Sequence, residues 1–95
     1  FLLCVNASNS DRDFAWFSKR DSFDASVENL SSRYGQIAVQ GPRAVEVVSK
    51  LSGLSKVGEL GYFYFTEADV GDVPVIVART GYTGEDGCEI FIPWS

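Results

Sequence analysis

The amino-acid sequence predicts an α+β fold: a small mixed, mostly antiparallel sheet with two helices packed on one face. Three observations predict it. Apolar runs of strand length fill much of the chain after residue 33, at residues 34–40, 62–66, 73–78 and 88–92. Glycines and acidic residues separate the later runs, as hairpin connections do. Two other stretches, at 9–20 and 42–51, carry helix-boundary residues and helical spacing. The predicted order is β-α-β-β-α-β-β-β, and hairpins segregated from two helices make an α+β sandwich. The 95 residues suit one domain, 1–95.

Each element has its own reason. Residues 1–6, FLLCVN, read as a buried strand. Asn9 or Ser10 can cap a helix, with Asp11 and Asp13 near its positive end. Phe14, Trp16 and Phe17 supply its apolar side, and Lys19 and Arg20 stand at its end. Residues 23–29, FDASVEN, alternate weakly, as a half-exposed strand would. A polar link leads to YGQIAVQ at 34–40, a better strand. In GPRAVEVVSKL, Pro42 fits a first helical position. Ala44, Val47, Val48 and Leu51 recur at helical spacing, and Gly53 stops the helix. A loop at 54–61 precedes YFYFT at 62–66, whose aromatics at 62 and 64 face one way and those at 63 and 65 the other. A turn at 68–72, a strand at 73–78 and a glycine loop lead to the last strand, 88–92.

Composition narrows the function. The net charge of −5 and the scattered Lys and Arg disfavour a nucleic-acid footprint and adsorption to an anionic membrane. No apolar run is long enough to span a bilayer, and the first residues lack the basic region of a signal peptide. The chain opens on Phe1 and contains no Met, so an excised piece of a longer chain is expected. Histidine is absent, which removes the triads built on it and the usual zinc patterns, so no metal site is expected. Cys4 and Cys88 read as two buried thiols in strands, with a disulfide open if those strands are neighbours; a reducing compartment is the expectation. Any chemistry falls to carboxylates, tyrosines, amides, arginines or a bound cofactor.

Three stretches carry the chemical signal. In RTGYTGEDGCEI, residues 79–90, Gly81, Gly84 and Gly87 permit positive φ or close approach of another group. The spacing is neither a dinucleotide fingerprint nor a phosphate loop, so a structural loop and a ligand loop both stay open. Glu89 lies between Cys88 and Ile90; if these face the core, it faces away. There it is either solvated surface or an acceptor pair for a planar donor edge. Glu85 and Asp86 read as ordinary turn acids. Asn6, at the exit of the first run, offers both donor and acceptor. The Asn6 and Asn29 glycosylation triplets are cheap matches without a sign of secretion. The 62–65 aromatics read as core and hairpin packing, or as a tyrosine facing a ligand ring.

RTGYTGEDGCEI, VNASNSDRDFAW and IAVQGPRA, in this order and spacing, resemble the aminomethyltransferase (T-protein) family of the glycine cleavage system. The resemblance runs along essentially the whole chain, which would be a middle portion of such a protein, mainly its second, folate-binding domain. It implies an enzyme that uses tetrahydrofolate and takes an aminomethyl group from the lipoyl arm of the H-protein. Ammonia is released and methylene-tetrahydrofolate forms. It also implies that Cys4 (a backbone contact, where valine is common), Asn6, Tyr62, Tyr82 and Glu89 meet the folate and face a common depression. Glu89 would accept two N–H bonds from the pterin edge, with Tyr62 and Tyr82 bordering the ring. The family's catalytic aspartate lies outside residues 1–95, so no catalytic residue is assigned and the isolated chain is expected to be inactive. Cys88 stands where an aromatic is common. Alternatives are a folate-dependent demethylase, a dimethylglycine- or sarcosine-oxidising relative, or a non-catalytic folding or interaction module. The iron–sulfur-assembly relatives carry KGCYxGQE, which the motif here does not match. The implied location is the cytoplasm of a bacterium, or the mitochondrion of a eukaryote.

Overall fold

The computed structural model describes residues 1–20 and 22–94. The chain forms two compact units, Phe1–Ser32 and Arg33–Ser95.

In the first unit a single 3-10 turn, Ala7–Asn9, runs into helix α1, Ser10–Ser18. Asp11 and Asp13 occupy its first turn, where the helix dipole favours negative charge. Asn9 holds the N-cap position but makes no side-chain cap bond, whereas Ser10 Oγ pairs with Ser31 Oγ at 3.2 Å. The helix end is tied from the side: Arg20 donates to the Trp16 carbonyl at 3.3 Å and lies 3.9 Å from the Trp16 ring centroid. The strands expected at 1–6 and 23–29 do not form. Their apolar residues suit a strand, but a strand exists only in a ladder, and neither stretch joins one. Phe1, Leu2, Leu3, Val5, Phe23 and Val27 are all exposed.

The second unit is built on strands β1 (Tyr34–Gln40), β2 (Phe65–Val70), β3 (Val73–Ala78) and β4 (Gly87–Pro93). They form one sheet in the order β1-β4-β3-β2. The α+β class stands, but every pairing is antiparallel, so the sheet is not mixed. β2 and β3 close across Gly71 and Asp72; Gly71 has φ 63°, the left-handed backbone that tight hairpins require.

Helix α2 (Ala44–Val48) contacts β1 and β4. It is shorter than the 42–51 predicted, with Arg43 at the N-cap and Ala44 and Val48 buried. Val48, Leu54, Val57, Val75, Val77, Cys88 and Ile90 form the core. Gly53 turns the chain with φ 87°, and a Cβ there would run into the Asp69 carbonyl. The loop after α2 therefore lies directly on β2. The second predicted packed helix is α1, which belongs to the first unit.

The aromatic run departs most from expectation. β2 begins at Phe65, because Phe63 takes φ 66° and breaks the alternation. Phe63 N–H donates to the Arg79 carbonyl and Arg79 N–H to the Tyr64 carbonyl, both at 2.9 Å. Tyr62, Phe63, Tyr64 and Phe65 are all exposed, so the core-packing reading of this run fails.

Candidate functional site

Alternation on β4 decides where Glu89 points. Cys88 and Ile90 enter the core, so Glu89 stands on the opposite face of the sheet. The register sets Ala38 of β1 and Ala78 of β3 directly beside it. Two methyl groups leave the carboxylate open from both sides. Its orientation is fixed: Gln36 Nε2 donates to Oε1 at 2.7 Å, and Thr80 Oγ1 donates to Oε2. Glu89 is half-buried, on the sheet face opposite Cys88 and Ile90, which it shares with the buried Phe91.

Next to Thr80 lies a cavity of about 180 Å³, lined by Tyr62, Phe63, Arg79, Thr80, Gly81, Gly84, Glu85 and Gly87. Arg79 organises this corner. It is only 7% exposed. Its guanidinium donates to the carbonyl of Leu60 at 3.1 Å and, more loosely, to those of Gly58 and Val57. It also meets Asp86 Oδ1 at 2.6 Å and lies 5.2 Å from the Tyr62 ring centroid. Asp86 in turn accepts the Gly87 N–H at 2.9 Å. Asp86 is therefore no ordinary turn acid; it is the counter-charge of a buried arginine. Arg79 Nε is buried and unpaired.

The expected site residues divide as follows. Tyr62 lines the cavity, and Glu89 reaches its edge through Thr80. Tyr82 rides on the glycine loop, 86% exposed, and does not line the cavity. Cys4 and Asn6 lie in the first unit, both exposed; Asn6 precedes the 3-10 turn and its carbonyl accepts from Asn9 N–H at 2.9 Å. The two cysteines carry thiols, one exposed and one buried, so the expectation of two buried strand thiols holds for Cys88 alone. Burial pushes the Cys88 thiol pKa up; nearby Arg79 pulls it down, and Asp86 and Glu89 push it further up.

A larger cavity, about 400 Å³, is lined by Tyr34, Glu67, Asp69, Pro74 and Pro93 among others. It contains none of the expected residues, and its size alone does not make it the site. Among the described residues no group of metal-ligating side chains gathers, and no helix is long and apolar enough to cross a membrane.

Gln36, Gln40, Thr80 and Arg79 were not singled out from the sequence. Arg79 opens the glycine motif and was within reach. Gln36 required the register, because it pairs with Phe91 and meets Glu89 only diagonally.

A family model described as the GCVT N-terminal domain matches residues 1–95. An aminomethyltransferase of Listeria monocytogenes serotype 4b (strain CLIP80459) is 48% identical over 94 residues, covering 98% of this chain and 26% of that protein. Aminomethyltransferases of Desulfitobacterium hafniense (strain DSM 10664 / DCB-2) and Thermosipho melanesiensis are 45% and 47% identical, over 98% and 95% of this chain and 26% and 25% of theirs. The chain thus spans about a quarter of the length of the curated relatives it matches.

Proposed function

The chain belongs to the GCVT N-terminal domain family, and on that premise we propose that residues 1–95 are part of a tetrahydrofolate-dependent aminomethyltransferase of the glycine cleavage system. They act as one domain of a longer protein and contribute its pterin-binding wall. The observation that carries this reading is Glu89, a carboxylate oriented by Gln36 and Thr80 and bordered by two alanines on the open sheet face. A carboxylate has about four acceptor positions. Two internal bonds therefore orient it and leave capacity for the two adjacent N–H donors of a pterin edge. Tyr62, with its exposed ring, borders that edge, and Tyr82 reaches it from the loop. The bound folate supplies the acceptor for the one-carbon unit.

The longer protein takes its aminomethyl group from the lipoylated H-protein and works in the bacterial cytoplasm. The 95-residue chain alone, without the family's aspartate, turns over no substrate; an assay with tetrahydrofolate and aminomethyl-loaded H-protein checks this.

A second reading draws on the same two bonds. In a non-catalytic folding or interaction module, Gln36 and Thr80 would serve only to satisfy Glu89. Titration calorimetry of tetrahydrofolate into the full-length protein separates the readings. Glu89→Gln should weaken binding about tenfold to a hundredfold, because the amide turns one acceptor into a donor facing an N–H. Glu85, exposed at the rim of the cavity and solvated, should matter far less, so Glu85→Gln should weaken binding much less than Glu89→Gln. Equal affinities for Glu89→Gln and the parent protein would favour the module.

A further inference from the structure

Gln40 closes β1 at the mouth of the glycine loop. Its Oε1 accepts the Tyr82 N–H at 2.9 Å and lies 3.4 Å from both Thr83 N and Thr83 Oγ1. Its Nε2 donates to the Val39 carbonyl at 3.3 Å. One carboxamide thus takes up loop amides that lie outside the sheet ladder.

The glycine spacing fits around this side chain. A Cβ on Gly81 would fall 2.5 Å from Gln40 Oε1 and 3.0 Å from Nε2. A Cβ on Gly87 would stand 2.7 Å from Nε2 and would also run into the Val39 carbonyl. Of the three glycines in the motif, only Gly84 takes a positive φ, 77°. The middle glycine turns the chain, and the outer two clear room for the Gln40 amide. At the base of the loop, Gly41 N–H donates to the Asp86 carbonyl at 2.8 Å.

We propose that Gln40 is a positioning residue: its carboxamide latches the glycine loop in one conformation and so fixes where the Tyr82 ring can border a ligand. The ligand half of this statement rests on the folate reading above. The exposed Tyr82 ring takes its direction from the backbone beneath it, and an unlatched loop would have to be ordered at each binding event, at a cost in affinity.

Amide hydrogen exchange on the full-length protein, with no ligand added, tests the latch. Gln40→Ala should speed exchange at Tyr82 about tenfold, the loss of one hydrogen bond, while the core amides of Val77 and Ile90 keep their rates. Gly81→Ala should have the same effect by driving the Gln40 amide aside. Added to Gln40→Ala it should do nothing more, because the obstructing atoms are gone. Unchanged exchange at Tyr82 in Gln40→Ala would overturn the proposal. In the full-length protein, Gln40→Ala should weaken tetrahydrofolate binding about three- to tenfold. That loss should vanish in a Tyr82→Ala background. A loss of equal size in both backgrounds would break the link to Tyr82. If neither Tyr82→Ala nor Glu89→Gln alters affinity, the folate reading falls, and the exchange rates still judge the latch.

Discussion

Arg79 is a buried charged side chain that ties several segments of the second unit together. It holds the 57–60 turn by its carbonyls, neutralises Asp86 and underlies Tyr62. Arg79→Leu strips all of these of their partner and should cost about 3 kcal/mol of unfolding free energy, read from urea melts. Arg43→Ala is the control. Its pairing with Glu46 is exposed and screened by solvent, so the melt should stay close to that of the parent protein. Cys88 makes a prediction about pH. Its thiol pKa is raised in the folded state, so the folded protein keeps this proton where the unfolded chain has lost it. The resulting stabilisation is fully present below about 8.5, the ordinary thiol value. It fades as the pH rises toward the folded value. Stability should therefore drop as the pH rises above about 8.5, and Cys88→Ala should flatten that drop; parallel slopes for both proteins would count against it. At this scale the outward direction of Glu89 was legible, because its neighbours Cys88 and Ile90 are apolar. Gln40 was not. A glutamine at a strand end looks like any other polar terminus until the loop that it serves is folded against it.

Among the elements, close approach and backbone conformation can be separated by two glycines. Gly53 and Gly71 both have positive φ, at 87° and 63°. A Cβ on Gly71 meets nothing within 4 Å, whereas one on Gly53 collides with the Asp69 backbone. Gly71→Ala should cost about 1 kcal/mol, the left-handed penalty alone. Gly53→Ala should cost about 3 kcal/mol, because the loop after α2 must lift from β2. Equal destabilisation in paired thermal melts would mean that this contact relaxes freely. Strands β1, β3 and β4 were legible from their apolar runs of strand length, although burial alternates cleanly only on β3 and β1 has no buried residue. The stretches at 1–6 and 23–29 were misread for a physical reason: apolar composition marks a segment able to pair, and pairing itself depends on a neighbour far along the chain. The aromatic run was half legible. A strand was expected at 62–66, but it begins only at Phe65 and runs on to Val70, into the stretch read as a turn; the left-handed backbone at Phe63 has no signature in a β-prone YFYF.

For the molecule as a whole, stability is distributed unevenly. Every core residue lies in Arg33–Ser95, and none of the described residues in Phe1–Ser32 is buried. Segments with little buried surface open at low free-energy cost. Brief proteolysis should therefore cut first within residues 1–32 and leave a resistant product close to 33–95. First cuts within the 79–87 loop would contradict this. The sheet order bears on how the chain is made. β4, synthesised after the other three strands, lies between β1 and β3. While a ribosome is still adding residues, the β2–β3 hairpin can close on itself, but β1 must wait, its edge open, until Gly87–Pro93 arrives. Closing so long a loop is slow. A nascent chain arrested ahead of Gly87 should therefore recruit chaperones through β1, and one arrested well beyond Pro93 should release them.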